Sequence, residues 1–223
     1  MAGIEAGGHV QAPPRAEVGG WNRREFIGAA SLLALAFGIP AGAVRLTDLA
    51  ADDAPTDRHI QMMAEVADLV IPRTDTPGAK DLGVGEFVIL ALGHGLAGTR
   101  APMTSGTVTA DLARFQRRDG SLRYLNWLEH ALDRAAGGDF LRHNRAMRAG
   151  WLTVIDAEAF AEGAAFSPWK AIKGLILTGY YTSEAGGSQE LRYELVPGRW
   201  EWDIAKTPEM RAFSSDWTAV DFG

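Results

Sequence analysis

The chain has 223 residues, a formal net charge of −6 and no cysteine. The absence of cysteine excludes a disulfide framework, a thiolate metal site, a cysteine-ligated iron–sulfur cluster and covalently attached c-type haem within this chain. The acidic balance disfavours nucleic-acid binding, which depends on basic surfaces, and the length allows one domain of ordinary size with its own hydrophobic core.

The N-terminal region carries an arginine pair followed by an apolar stretch. Arg23 and Arg24 are followed, after one spacer residue, by Phe26 and Ile27, and residues 27–44 are moderately apolar because they are rich in Gly, Ala and Ser. This pattern is typical of a twin-arginine export signal. Because that route carries proteins already folded, often with a cofactor or partner attached, the pattern predicts a periplasmic protein.

The end of the apolar stretch resembles a cleavage site. Pro40 interrupts the stretch, and Ala41 and Ala43 form the small-x-small pattern after which signal peptidase cuts. We therefore predict a signal peptide over residues 1–43 and a polar linker over residues 44–56. A retained membrane anchor and a buried core helix are the alternatives, although the stretch is short for a membrane span.

Helical periodicity dominates residues 57–179, which we predict to form the helical domain. Thr56 or Asp57 caps a first helix that ends before Pro72. Its apolar side chains recur at the helical period: Ile60, Met63, Ala64, Ala67, Val70 and Ile71.

Further helices are predicted along the same domain. Residues 84–92 are apolar nearly all round, which favours a buried helix over a strand. Residues 107–118, 122–136 and 139–155 are helical candidates. The last helix begins at Ser167 and Pro168 and stops at Gly179, with a buried face formed by Ile172, Leu175 and Ile176. The fold class predicted is all-α.

The loop at residues 72–79 is dense in turn-forming residues. These are Pro72, Thr74, Asp75, Thr76, Pro77 and Gly78. The prolines restrict the backbone, and the short polar side chains can bond to neighbouring main chain and stabilise the turn. We predict a structural loop that also serves as an interface. A catalytic or metal-binding Asp75 is the alternative.

The last segment, residues 180–223, lacks a helical stripe but is rich in aromatic residues. We predict an irregular arm that packs partly on its own domain and partly on another subunit, because buried aromatic side chains dominate many interfaces. An arm folded only on its own core is the alternative. The aromatic anchors are Tyr180, Tyr181, Tyr193, Trp200, Trp202 and Trp217.

Catalytic, cofactor-binding and metal-binding residues are not identified in the sequence. Residues 93–98 match a dinucleotide fingerprint, but no adequate helix follows, so a glycine-rich helix ending is the better interpretation. His59, His94, His130 and His143 have no metal-ligand spacing and are interpreted as structural or surface residues. A nucleophile elbow is also lacking.

Two segments resemble one known family. Residues 67–79 with Gly83, Val84 and Phe87 are similar to the first signature of the gluconate 2-dehydrogenase subunit 3 family. Residues 179–184 and 189–193 with Pro197 and Gly198 are similar to its C-terminal signature. Members are small, non-catalytic subunits of membrane-associated sugar, polyol and sugar-acid dehydrogenases.

The resemblance implies a set of partners and a location. The large subunit would be an FAD flavoprotein of the glucose–methanol–choline class, and a multihaem cytochrome c would accept the electrons. The small subunit would supply the export signal and act as a chaperone, in a periplasmic complex associated with the inner membrane. Tyr180, Tyr181 and Glu184 belong to the ending that we assign to the partner interface. That ending is closer to subunits of glucoside 3-dehydrogenases than of gluconate dehydrogenases.

Two other functional classes remain open from the residues. One is a free-standing periplasmic enzyme, and the other is a periplasmic protein that binds a small ligand. Activity of the isolated chain would favour the first, and calorimetric binding would favour the second.

Overall fold

The computed structural model describes residues 54–104, 106, 108–193, 207 and 210–214. This part of the chain is helical, which confirms the predicted all-α class. The predicted export and cleavage residues (Arg23, Arg24, Phe26, Ile27, Ala41, Ala43) and Trp200, Trp202 and Trp217 lie outside the described residues. In chain order the elements are α1 (Asp57–Val70), α2 (Val84–His94), a 3-10 turn (Leu96–Gly98), α3 (Ala110–Ala113), α4 (Tyr124–Ala136), a 3-10 turn (Phe140–Arg142), α5 (Arg145–Phe160), α6 (Pro168–Tyr181), a π-helical turn (Ala185–Glu190) and the paired parallel strands β1 (Arg192–Tyr193) and β2 (Phe213–Ser214).

Helix α1 begins with a reciprocal cap. The Thr56 hydroxyl accepts a hydrogen bond from the His59 main-chain nitrogen at 3.1 Å, and the Thr56 nitrogen donates to His59 Nδ1 at 3.4 Å. The buried face centres on Met62 and Val66, so it is rotated relative to the predicted stripe, in which Ile60 is only half-buried.

Helix α2 forms the centre of the core and contacts α1 and α6. It is a buried helix, as predicted. Small residues allow both contacts, since a Cβ at Gly85 would lie 2.8 Å from the Ala64 nitrogen and one at Gly179 would lie 2.5 Å from Phe87 Cδ1. The prediction that Gly179 stops the last helix was wrong: this glycine admits the Phe87 ring, and α6 continues to Tyr181.

The predicted helix over residues 107–118 was mostly wrong, because only the four residues of α3 are α-helical there. The chain then turns at Asp119, whose carboxylate accepts from the Ser121 main-chain nitrogen at 2.9 Å and from its hydroxyl at 2.6 Å. Such local side-chain bonds compete with helix formation, and the turn they form precedes α4.

The predicted helix over residues 139–155 is divided by two caps. Asp139 accepts a hydrogen bond from the Leu141 nitrogen at 3.0 Å, which caps only a 3-10 turn. Asn144 then accepts from the Met147 nitrogen at 3.0 Å and starts α5. Asp139 is therefore a cap, as predicted, but of a shorter element.

Helix α6 begins with Pro168 at its first position, as predicted, although the Ser167 side chain makes no capping bond. The predicted inner residues Ile172 and Ile176 are fully buried. No helix in the described ranges combines the length and apolarity needed to cross a bilayer.

Candidate functional site at the junction of the two signature segments

The loop at residues 72–79 is held by its own main chain between α1 and α2. Its end is closed by the Ala79 nitrogen, which donates to the Ile71 carbonyl at 2.9 Å. Within it, the Thr74 nitrogen donates to the Thr76 carbonyl at 3.1 Å. A Cβ at Gly78 would lie 2.6 Å from a main-chain nitrogen across the loop, so only glycine fits there.

The C-terminal signature folds back on the end of α6. The Ser183 hydroxyl donates to the Tyr180 carbonyl at 2.6 Å and accepts from the Gly186 nitrogen at 3.1 Å. A Cβ at Gly186 would overlap the Tyr180 carbonyl oxygen. The π-helical turn that follows therefore requires glycine, and it returns Glu190 towards the loop.

The two signature segments meet through buried hydroxyl groups. Thr76 Oγ1 donates to Glu190 Oε2 at 2.6 Å, and the Tyr180 hydroxyl donates to the Pro77 carbonyl at 3.0 Å. Thr76 is 6% exposed and Tyr180 is 1% exposed. These bonds join parts of the chain that are more than 100 residues apart in sequence.

Arg211, in the C-terminal segment, contacts residues of both signature segments. It donates to the Gln189 carbonyl at 2.7 Å, approaches Glu190 Oε2 at 3.4 Å and forms an ion pair with Asp75. We call Asp75, Thr76, Tyr180, Glu190 and Arg211 the signature junction. Arg211 was missed by sequence reasoning because it belongs to neither signature and has no distinctive spacing.

The residues of the C-terminal signature that were predicted to contact a partner differ in their accessibility. Tyr180 is buried in this chain's own core and is not available to another subunit, so its assignment was wrong. Tyr181 is 40% exposed and Glu184 is exposed, so both are accessible. Burial, and secondarily the negative charge of Glu190, raises the pKa of Tyr181. The Tyr193 side chain lies outside the described side chains.

The carboxylates of the junction accept hydrogen bonds from within the chain. Asp75, whose side chain is 74% exposed, pairs with Arg211, and Glu190 is bound by Thr76 and Arg211. Within the described residues no three His, Asp or Glu side chains are grouped to hold a metal ion. The hydrogen bond from Thr76 and the ion pairs with Arg211 join the two signature segments and the C-terminal segment.

A second polar cluster ties α1 to α4 and was not identified from the sequence. Arg58 forms ion pairs with Glu129, Asp133 and Asp139 at 2.5, 2.7 and 2.7 Å, and His59 Nε2 lies 3.1 Å from the second oxygen of Glu129. The hydrogen bond to Asp139 is the main reason why the pKa of Arg58 is raised, and it lowers the pKa of Asp139. Scattered charges in sequence gave no signal for this cluster.

The glycine-rich segment after α2 ends a helix, as the sequence interpretation states. Gly95 caps α2 in the left-handed region, with φ of 85°, and its nitrogen donates to the Ala91 carbonyl. A 3-10 turn follows in place of the helix that a dinucleotide site needs.

Comparison with protein families agrees with the resemblance seen in the two signatures. The model of the family described as gluconate 2-dehydrogenase subunit 3 matches residues 57–198, which is more than half of the chain and contains both signature segments. Comparisons with curated proteins and with solved structures gave no significant match. The chain belongs to the gluconate 2-dehydrogenase subunit 3 family.

Proposed function

We propose that this chain is the non-catalytic small subunit of a periplasmic FAD-dependent dehydrogenase, which exports and helps to assemble its catalytic flavoprotein. Family membership makes it an accessory subunit of a dehydrogenase complex. The twin-arginine pattern before the family region supports the export role, because that route accepts a folded partner as cargo.

The signature junction is the observation that carries the accessory role. Its hydroxyl groups are buried and bonded within the chain: Thr76 binds Glu190, and Tyr180 binds the Pro77 carbonyl. A general acid or base must reach a proton of the substrate. Because these polar groups of the two signature segments bind one another, we assign catalysis to the flavoprotein.

The partners follow from the same proposal. FAD belongs to the large subunit, and a multihaem cytochrome c, with haem c, accepts the electrons in a complex associated with the inner membrane. The substrate class is glucosides, because residues 180–184 and 189–193 resemble the endings of glucoside 3-dehydrogenase small subunits. Ser188 follows the glycine pair where gluconate dehydrogenases tend to have Asn.

Export of the flavoprotein tests the proposal. Replacing Arg23 and Arg24 together with Lys preserves charge but removes the guanidinium groups that a receptor can read. We expect both this chain and the flavoprotein to remain in the cytoplasm. Arg15→Lys, outside the pair, is the matched control and leaves export unchanged.

Two results would contradict the proposal. The first is normal periplasmic delivery of the flavoprotein by the double Lys variant. The second is turnover of sugars by the purified chain alone with an artificial electron acceptor, since this would indicate a free-standing enzyme.

A further inference from the structure

A cavity of about 210 Å³ lies between the start of α1, the end of α2 and the start of α4. Ile89, Leu92 and Leu125 form its apolar lining, while Arg117 and Tyr124 are polar residues of its wall. An engineered cavity of about 150 Å³ in another protein holds one benzene molecule. The space therefore admits a six-membered ring with one small charged group. It does not admit a cofactor of the size of FAD, since drug-sized ligands fill roughly 300–1,000 Å³.

The Tyr124 hydroxyl is a buried polar group of this cavity. Tyr124 is 8% exposed, and no hydrogen bond of its hydroxyl is found among the described residues. Its oxygen is not fully enclosed by protein atoms, and the residue lines the cavity. Burial raises the pKa of Tyr124, although the positive charge of Arg117 opposes this, so the hydroxyl is a hydrogen-bond donor at neutral pH. A ligand that accepts this hydrogen bond removes the cost of an unsatisfied buried hydroxyl.

Helix α4 begins at the same cavity without a side-chain cap. Its first three residues, Tyr124, Leu125 and Asn126, line the cavity, and the Arg123 side chain before them makes no capping bond. The main-chain N–H groups at these three positions have no partner within the helix, and among the described residues no side chain accepts from them. Such N–H groups, together with the helix dipole, favour an anion.

Arg117 adds the positive charge that an anion needs. It is the one charged residue among the described residues that line the cavity. Its Nη1 donates to the Leu122 carbonyl and, at 3.4 Å, to the Ser121 hydroxyl, so the guanidinium is held against the turn before α4. The acidic neighbour Asp119 pairs with Arg100 at 3.3 Å. Arg117 therefore makes this wall of the cavity positive.

The walls formed by α1 and α2 leave apolar surface to a ligand. His59 lines the cavity, but Nδ1 of its ring accepts from the Thr56 nitrogen, so Nε2 carries the hydrogen and donates it to Glu129 at 3.1 Å. The Leu92 carbonyl accepts a hydrogen bond from the Thr99 hydroxyl at 3.2 Å. Because these polar groups are used within the chain, a ligand contacts apolar side chains there.

We propose that this cavity binds a small organic carboxylate. The carboxylate lies at the start of α4, where the main-chain N–H groups, the Tyr124 hydroxyl and Arg117 provide donors, and its apolar part packs against Ile89 and Leu92. One cationic residue in the wall matches one negative charge, and the planar guanidinium matches the geometry of a carboxylate. The inference goes beyond the proposed accessory function and does not depend on the flavoprotein.

Binding of a probe to the full chain tests the site. The probe is benzoate, which has one ring and one carboxylate, and benzamide, a neutral molecule of similar shape, is the matched control. Each is titrated at neutral pH into the isotope-labelled chain, and the main-chain amide signals are followed by NMR. We expect benzoate to shift the signals of Tyr124, Leu125 and Asn126. We also expect it to bind roughly 10-fold or more tightly than benzamide, because hydrogen bonds to a charged group are the stronger ones.

Two variants and a control locate the binding groups. Tyr124→Phe removes only the hydroxyl, which makes no described hydrogen bond, so the variant folds normally, and we expect its affinity for benzoate to fall roughly 10-fold or more. Arg117→Gln removes the positive charge and should lower the affinity at least as much. Arg118→Gln, at the exposed neighbouring position, is the matched control and leaves the affinity unchanged. Circular dichroism checks the fold of each variant, and Tyr124→Phe decides the matter if Arg117→Gln unfolds.

Several results would overturn the inference. These are equal affinities for benzoate and benzamide, unshifted amide signals at the start of α4 at tens of millimolar benzoate, and wild-type affinity of Tyr124→Phe. Tighter binding of phenyl phosphate than of benzoate would assign the cavity to phosphate monoesters and overturn the carboxylate. The accessory role is tested by export of the flavoprotein, so the failure of either proposal leaves the other standing.

Discussion

The Thr76 hydroxyl is the single group that joins the two signature segments most directly. It is buried, and it donates to a Glu190 oxygen at 2.6 Å, across 114 positions of sequence. Glu190 also accepts from Arg211, so its carboxylate depends on two donors from distant parts of the chain. Removing the hydroxyl leaves this carboxylate partly unsatisfied.

We predict that Thr76→Val, which preserves the side-chain shape, lowers the free energy of unfolding by about 1.5–3 kcal/mol, the usual range for a hydrogen bond to a charged group. Chemical denaturation of the isolated chain measures this change. Thr153→Val is the control, because the exposed Thr153 hydroxyl bonds only within its own helix, and we expect a change within about 0.5 kcal/mol.

Substitution of Asp75 tests whether the signature junction has a structural or a catalytic role. Its side chain is 74% exposed, and an exposed ion pair contributes at most about 1 kcal/mol. Asp75→Ala should therefore lower the free energy of unfolding by less than Thr76→Val does. It should leave turnover per assembled flavoprotein unchanged. A severe loss of turnover in fully loaded complex would indicate chemistry at this carboxylate.

Among the helices, Glu65 on α1 is the carboxylate that connects several elements. It pairs with Lys80, in the turn before α2, at 2.5 Å and with Arg148 on α5 at 2.7 Å, and its side chain is 15% exposed. Burial raises its pKa, but the hydrogen bond from Lys80 and the charge of Arg148 together outweigh burial and lower it. The ion pairs that join α1 to α5 and to the turn before α2 therefore depend on the ionisation of Glu65, and so on pH.

We predict that the chain loses stability in acid partly through Glu65. A carboxyl whose pKa is lowered on folding contributes stability above its unfolded-state pKa, about 4.3, and this stability is lost as the pH falls through the folded-state pKa. Glu65→Gln should lower Tm at pH 7 and reduce the difference in Tm between pH 7 and pH 3. Glu158→Gln, exposed on α5, should leave both unchanged; an identical pH profile for Glu65→Gln would contradict the prediction.

For the whole molecule, the described part of the C-terminal segment is fastened to the helical body. The Arg192 nitrogen donates to the Ala212 carbonyl at 2.8 Å beside the β1–β2 pair, and Arg211 donates to the Gln189 carbonyl and pairs with Asp75. The predicted anchors Trp200, Trp202 and Trp217 stay predictions. Their contribution to binding of the flavoprotein can be separated from that of Arg211 by experiment.

We predict that a chain cut after Pro197 retains its helical circular-dichroism spectrum but loses the flavoprotein. The chain should still fold, because the core of α1, α2, α4 and α6 lies before the cut. Binding should be lost, because even one interface hot spot of about 2–4 kcal/mol changes the affinity for the flavoprotein by roughly 30- to 1000-fold. Arg211→Ala is the matched comparison, because it removes the ion pairs with Asp75 and Glu190 but keeps the tryptophans. We expect a much smaller loss of affinity for the flavoprotein. Unfolding of the truncated chain would mean that the arm belongs to its own core.

Short-range patterns in the sequence were sufficient to predict most of the helices and the family. The apolar period of α4, the Pro168 start of α6 and the turn residues between Pro72 and Gly78 are short-range signals, and the structure agrees with them. Predictions failed at residues 107–118, where a polar turn interrupts the predicted helix, and at Gly179, where the glycine makes room for the Phe87 ring and the helix continues to Tyr181.

Only the tertiary structure decided which distant groups meet and which faces stay open. The bonds of Glu190 to Thr76 and Arg211 and the burial of Tyr180 depend on how α6 packs on α2, which no local pattern encodes. The outward position of Leu177 is decided in the same way, because burial depends on the neighbours that a helix meets after folding. Periodicity specifies that a helix forms, whereas packing specifies which of its apolar residues are covered.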